Sequence, residues 1–256
     1  MHDPAPLVAF GGVDKVFANG TTALKGLDLA VRSGQFVSLL GPSGCGKSTA
    51  LRLLAGLGRP TAGRIDWPAT AGKRPEIGFV FQEPTLMPWS TVFDNVRLPL
   101  KLGGIPKAEA RPVVEAAIAR VGLAGFAQVY PRELSGGMKM RVSIARALVT
   151  SPSLLLLDEP FAALDEITRF RLNNDLLTLW QDKPLTVVFV THSVYESVYL
   201  SNRIVVMAAR PGRVVADIAI DAPYPRTEEF RTSDLYNSHC REVSAALHQA
   251  MGEDAA

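Results

Sequence analysis

Apolar residues in this chain fall into two kinds of run, and the two kinds predict different elements. Nearly unbroken apolar stretches of strand length occur at Leu154 to Leu157 and Thr186 to Val190. Such runs suit strands covered on both faces, as in a parallel sheet packed between helices. Shorter strand-like stretches lie at Leu7 to Phe10, Leu27 to Val31, Gln35 to Leu40 and Ile77 to Phe81, the last ending at Gln82. Lys47 to Ala55 reads instead as a helix with Leu51 and Leu54 turned inward. From about Thr91 to Thr150 helical spacing takes over: Val113, Ala117, Ile118 and Val121 share one helical face, and Gly122 is a stop signal. Pro112 either restarts that helix in its first turn or kinks it. This block reads as a helical subdomain inserted at about 91–150. Glu166 to Gln181 predicts a helix joining the two apolar strands, a parallel crossover. Residues from about Asp221 are rich in Pro, Arg and Ser and end in a predicted helix near Arg241 to Met251.

Composition narrows the class. Hydrophobic residues make up 47% and charged residues 20%, as in an ordered globular protein. The formal net charge of +2 comes without a Lys/Arg block, so nucleic acid is not an expected partner. Met1 to Pro6 is polar and does not read as a signal peptide. No stretch reaches the roughly 18 apolar residues a membrane span needs, so any membrane role is expected to be peripheral. Two cysteines, Cys45 and Cys240, point to a reducing compartment rather than a disulfide framework. Cys45 sits where Lys47 and nearby amide dipoles favour a thiolate, which predicts that its alkylation blocks nucleotide binding; the plainer reading is a small side chain that fits.

The chemistry gathers at glycine-bearing turns. Gly41, Pro42, Ser43, Gly44, Cys45, Gly46, Lys47 and Ser48 form a G-x-x-x-x-G-K-[ST] run between a predicted strand and a predicted helix. There the glycines let backbone amides converge on phosphates, Lys47 adds a point charge and the Ser48 hydroxyl is placed for Mg²⁺. Average composition gives a chance match on the order of one in a hundred for a chain this long. Asp158 and Glu159 follow four leucines where a buried strand leaves its sheet. Asp158 is the expected Mg²⁺ partner and Glu159 the candidate general base. His192 follows the strand ending at Val190, at the same carboxyl edge where ligand sites of open α/β sheets gather. It is assigned a γ-phosphate or water-positioning role. Ser135, Gly136 and Gly137 begin another predicted helix, Met138 to Val149, with Lys139, Arg141 and Arg146 on it. This is either an ordinary N-cap or a second anion cradle serving a nucleotide held by another copy of the chain.

In order and in joint presence these motifs resemble the ATP-binding subunit of ABC transporters over nearly the whole chain. The matching stretches are GPSGCGKST, which adds Thr49, then Gln82, LSGGM, LLLLDEP, AALD ending in Asp165, and THS containing His192. The resemblance implies an α/β fold: a RecA-like P-loop NTPase core with a mostly parallel sheet, an N-terminal antiparallel β region and the inserted helical subdomain. It implies an ATPase domain at 1–220 and a tail at 221–256. It places Phe17 against adenine, with a core phenylalanine as the competing reading. Gln82 would sense Mg²⁺ or water and report to a membrane partner near Glu83 to Trp89, and Asp165 would act across a dimer interface. ATP and Mg²⁺ are the implied cofactors. The implied partners are a second copy, integral permease subunits and, indirectly, a solute-binding protein, at the cytoplasmic face of the membrane. Met138 departs from the usual Gln; with FQEPTLMPW and DEPFAALDEITR it resembles importers of nitrate, sulfonates, taurine and related solutes. An exporter subunit, a soluble small-molecule kinase and a non-transport ABC ATPase are the alternatives. The kinase would not need Ser135 to Met138, and the non-transport ATPases usually carry a coiled-coil insertion or a second cassette.

Overall fold

The structure, a computed structural model, describes residues 5–182 and 185–252. The polar N-terminus and the end of the tail lie partly outside that range. The chain opens with strands β1 (Val8–Val16), β2 (Thr22–Val31) and β3 (Phe36–Leu40), then helix α1 (Lys47–Leu54) and strands β4 (Ala62–Asp66) and β5 (Ile77–Val80). Helices α2 (Val92–Leu102), α3 (Lys107–Arg120) and α4 (Gly136–Leu148) follow, then β6 (Leu154–Asp158) and α5 (Glu166–Gln181). The last stretch holds β7 (Thr186–Thr191), α6 (Val194–Leu200), β8 (Arg203–Ala208), β9 (Arg213–Ala219), α7 (Glu228–Thr232) and α8 (Asp234–Gly252). Contacts divide the chain into two units, one joining residues up to Arg74 with those from Thr186 onward, the other spanning Pro75–Leu185.

The first unit contains two sheet regions of opposite character. In the antiparallel sheet β2-β1-β4, buried and exposed positions mix along β1 and β2, as expected when one face meets solvent, and the edge strand β4 has no buried residue. In the other region β3 runs parallel to β7 on one side and to β8 on the other, and β9 closes the edge antiparallel to β8. Every residue of β3 and β7 is buried, because helices must cover both faces of a parallel arrangement. Leu40 pairs with Thr191, so the residues following β3 and β7 leave the sheet side by side.

In the second unit β5 and β6 are parallel, from Ile77 opposite Leu154 to Val80 opposite Leu157. Helix α4 packs on β5, α2, α3 and α5. Helix α3 continues through Pro112, and its buried positions are Ala110, Val114 and Ile118. The expected face is therefore off by one position at its start: Val113 is exposed, and the i, i+4, i+8 row begins at Ala110. Helix α8 starts earlier than the predicted Arg241, because the Ser233 hydroxyl accepts a bond from the Tyr236 amide at 3.2 Å and caps the first turn. Strands β4, β8 and β9 and the short helix α6 extend the predicted set.

Candidate functional site

The glycine-rich turn links β3 to α1 within the first unit. Gly46 precedes the helix with φ 89°, and a Cβ there would meet Leu24 Cδ2 at 2.5 Å and Ala23 O at 2.7 Å. Only glycine satisfies both the left-handed backbone and that close approach. It also leaves α1 without a side-chain cap, so the positive end of the helix and its first-turn amides remain for an anion to use. Lys47, only 4% exposed, donates to the carbonyls of Gly41 at 2.7 Å and Pro42 at 2.9 Å.

The strand register then brings His192 to the same turn. Its Nδ1 lies 3.1 Å from the Gly41 carbonyl and 3.4 Å from Lys47 Nζ. A carbonyl only accepts and an ammonium only donates, so Nδ1 bonds Gly41 when it carries the proton and Lys47 when it does not. With the proton on Nδ1 the ring offers Nε2 as an acceptor, fitting a water-positioning role, and with the proton on Nε2 it offers a donor, fitting a phosphate oxygen. Cys45 differs from the expectation for a reactive thiolate. It is fully buried, 3.6 Å from Lys47 Nζ, and burial pushes its thiol pKa up despite the neighbouring ammonium. Its side chain fits the interior of the turn; that plainer reading agrees with the geometry. Phe17 lies in the turn between β1 and β2, 45% exposed, with Lys15 Nζ 5.4 Å from its ring centroid. It is not a core phenylalanine.

The second unit gathers the other predicted residues in two places. Asp158 ends β6, and Gln82 follows β5, so both emerge at one end of the same parallel pair. Asp158 is nearly buried, Gln82 is exposed, and Glu159 adopts φ 47°, a left-handed conformation unusual for a non-glycine residue. The other place joins the starts of α4 and α5. Ser135 caps α4 by accepting from the Met138 amide at 3.3 Å, and Asp165 caps α5 by accepting from the Thr168 amide at 2.9 Å. That amide holds the Asp165 carboxyl below its usual pKa of 3.8. Gly137 is where the two starts meet: a Cβ there would lie 2.6 Å from the Thr168 methyl.

Arg146, read from sequence only as a basic residue on this helix, has a specific role in the fold. It donates to the carbonyls of Pro84 at 2.8 Å and Thr85 at 2.9 Å, tying α4 to the segment after Gln82. No periodicity reports such a bond between residues some sixty positions apart. Beside it an open groove of about 350 Å³ is lined by Phe79, Phe81, Thr85, Leu98 and Leu102. Leu102 at 79% exposure and Trp89 at 76% are the most exposed large apolar side chains among the described residues. No described helix is long and apolar enough to cross a membrane.

The chain is similar to known proteins. A family model described as ABC transporter matches residues 24–162. The chain is 47% identical over 248 residues, 95% of each chain, to a Brucella abortus protein whose name calls it ATP-binding. It is 45% identical over 235 residues, 90% of each chain, to an aliphatic sulfonates import ATP-binding protein of Bacillus licheniformis. Among solved structures it is similar to a dimeric ATP-binding cassette in a post-hydrolysis state with ADP and Pi: TM-score 0.74 and 34% identity, covering 84% of this chain and 100% of that one.

Proposed function

The chain belongs to the ABC transporter family and hydrolyses ATP to support transport, and from that premise we propose that it is the cassette of an importer for a small anionic or organic solute of the nitrate, sulfonate and taurine kind. Two copies bind two ATP, close around them and drive separate permease subunits at the cytoplasmic face of the membrane. A solute-binding protein acts upstream without touching this chain. The relative named for aliphatic sulfonate import supports this branch. The ATPase domain is taken as residues 1–220 with its helical part at about 91–150, and 221–256 as a tail.

One observation carries the reading: a helix end with no side-chain cap, Lys47 and His192 meet at a single turn, while Ser135 opens a second helix elsewhere in the chain. The amides from Gly41 to Thr49 and the Lys47 ammonium hold the β- and γ-phosphates. Phe17 stacks on adenine. Ser135, Gly136, Gly137 and Asp165 face the nucleotide held by the other copy. Among the described residues no three or more His, Cys, Asp or Glu cluster as a cation cage. The hydroxyl of Ser48, the amide oxygen of Gln82 and the carboxylate of Asp158 are hard donors that fit Mg²⁺, which keeps several ligands from phosphate and water. Bound there, Mg²⁺ would neutralise charge that develops on the phosphates. Glu159 accepts the proton of the attacking water, and His192 holds that water or the γ-phosphate oxygen. The exposed Trp89, together with the exposed Leu102 that lines the groove, is the surface offered to the permease.

Glu159→Gln should lower turnover by ~10²–10⁴-fold with ATP still bound, and should accumulate ATP-bound dimer in size-exclusion runs. Adding Ser135→Glu to that variant should abolish the dimer while single-copy ATP affinity stays within about twofold. Equal loss of affinity and dimer would remove the two-copy reading.

A further inference from the structure

The tail beyond Asp221 has no part in the scheme above, yet it makes an unusually complete set of bonds to one short helix. Arg226 is 5% exposed, and its Nη1 shares its two hydrogens among the carbonyls of Val198 at 2.8 Å, Tyr199 at 2.9 Å and Ser201 at 2.8 Å. Its Nη2 donates to Ala222 O at 3.3 Å, which fixes the guanidinium to its own segment. Tyr224 Oη donates to Leu200 O at 3.0 Å, and Tyr236 Oη donates to Tyr195 O, also at 3.0 Å. Tyr199 Oη returns a bond to Arg226 O at 2.8 Å. The last four carbonyls of a helix lack partners within it. In α6 three of those four are taken by side chains of the tail, and the fourth, Ser197 O, accepts from the Ser201 amide at 3.0 Å.

Aromatic faces complete the hold. The Arg226 guanidinium lies 4.1 Å from the Tyr224 ring centroid and 5.2 Å from that of Phe230, and Arg231 lies 3.4 Å from that of Tyr199. A cation at a helix C-terminus also opposes the helix dipole.

His192 lies one residue before the cap at the other end of α6. Ser193 caps the helix by accepting from the Glu196 amide at 3.2 Å. Thr191 donates its hydroxyl to Glu196 Oε2 at 2.5 Å and accepts from the Ser193 amide at 3.0 Å. The histidine is therefore flanked by two residues bonded to α6, and α6 is gripped at its far end by the tail. Only the seven residues of α6 separate the two holds.

We propose that residues 222–236 form a clamp on α6 that sets the position of His192 against the phosphate loop, with Arg226 as a positioning residue for ATP hydrolysis. The proposal rests on the role given above to His192, and the test separates the two. Steady-state turnover and equilibrium ATP binding are measured on the full-length protein as wild type, Arg226→Gln, His192→Ala and the double variant. Arg226→Gln should lower kcat by about tenfold, the scale of a misplaced catalytic group, and leave the ATP dissociation constant within about threefold. Arg226→Lys should restore part of the loss, since an ammonium can still donate to two or three of the carbonyls. In the His192→Ala background, Arg226→Gln should change the residual turnover by less than about twofold, because a residue acting through His192 has nothing left to position.

A kcat loss of the same factor in both backgrounds overturns the clamp and leaves the His192 assignment standing. Full turnover in His192→Ala overturns that assignment, and the clamp's purpose with it. Loss of stability alone, with kcat unchanged below the unfolding transition, makes the clamp structural and also overturns the proposal. Should Arg226→Gln fail to fold, Tyr199→Phe deletes a single bond to the same segment and carries the same cycle, with an expected kcat loss of about threefold that vanishes with His192→Ala.

Discussion

The N-termini of α1 and α4 both involve glycines, Gly46 just before the first helix and Gly136 and Gly137 opening the second, yet they are finished differently. Helix α1 is preceded by Gly46 in a left-handed conformation and has no side-chain cap, whereas α4 carries its own cap, Ser135, bonded to the Met138 amide. A self-capped helix end is stable whether or not an anion arrives, while an uncapped one gains most when a phosphate sits on it. The contrast supports the division of labour proposed above. In that proposal one helix start holds nucleotide for as long as it is bound to its own copy, and the other meets a partner's nucleotide only when two copies close.

Substitutions can break this contrast in order of size. Gly46→Ala places a side chain in a left-handed backbone and against Leu24 and Ala23 O, a strain of about 1–3 kcal/mol before any clash. ATP affinity of the single copy should fall by roughly ten- to a hundredfold in equilibrium binding. Unchanged affinity would mean the turn is not where phosphate binds. Gly137→Ala presses on the Thr168 methyl and should weaken ATP-dependent dimer formation about tenfold while single-copy affinity holds. Adding Thr168→Ser removes that methyl and should recover most of the loss; no recovery would show that the fault lies elsewhere.

The smallest effect concerns the cap on α5. The folded Asp165 carboxyl has its pKa lowered by the Thr168 amide, so its share of stability is complete above the unfolded value of 3.8 and is lost as pH falls through the lowered one. Asparagine can cap without titrating. Denaturation midpoints of wild type and Asp165→Asn should therefore converge as pH drops from about 5 to 3. A gap that stays constant across that range would remove the charge from the account.

How far the sequence could be read follows from where its signals are local. Leu154 to Leu157 and Val187 to Val190 announce buried strands because covering both faces demands an unbroken apolar run. The turn at Gly41 to Ser48 is readable because its residue types are fixed by local backbone needs. Strand β4 lies at the sheet edge with four of its five residues exposed, so it carries no apolar pattern to detect. In α3 the row was misplaced at Val113 because alanines and Pro112 dilute the spacing. Phe17 was ambiguous because exposure of a single ring cannot be inferred from its neighbours in the chain. Arg226 was invisible for another reason: amid Pro, Arg and Ser it looks like loop, and its value lies in carbonyls more than twenty positions away.

The pairing of Leu40 with Thr191 carries one more implication. Because main-chain bonds set how the ends of β3 and β7 at Leu40 and Thr191 face each other, the apolar residues inside these strands can be exchanged for others of like volume, at a cost under about 1.5 kcal/mol each, without shifting that register. Losing one residue from either strand would instead carry a reacting group about 3.3 Å out of place and invert every side chain beyond it. The interior of this sheet is thus forgiving of spelling and intolerant of a changed letter count.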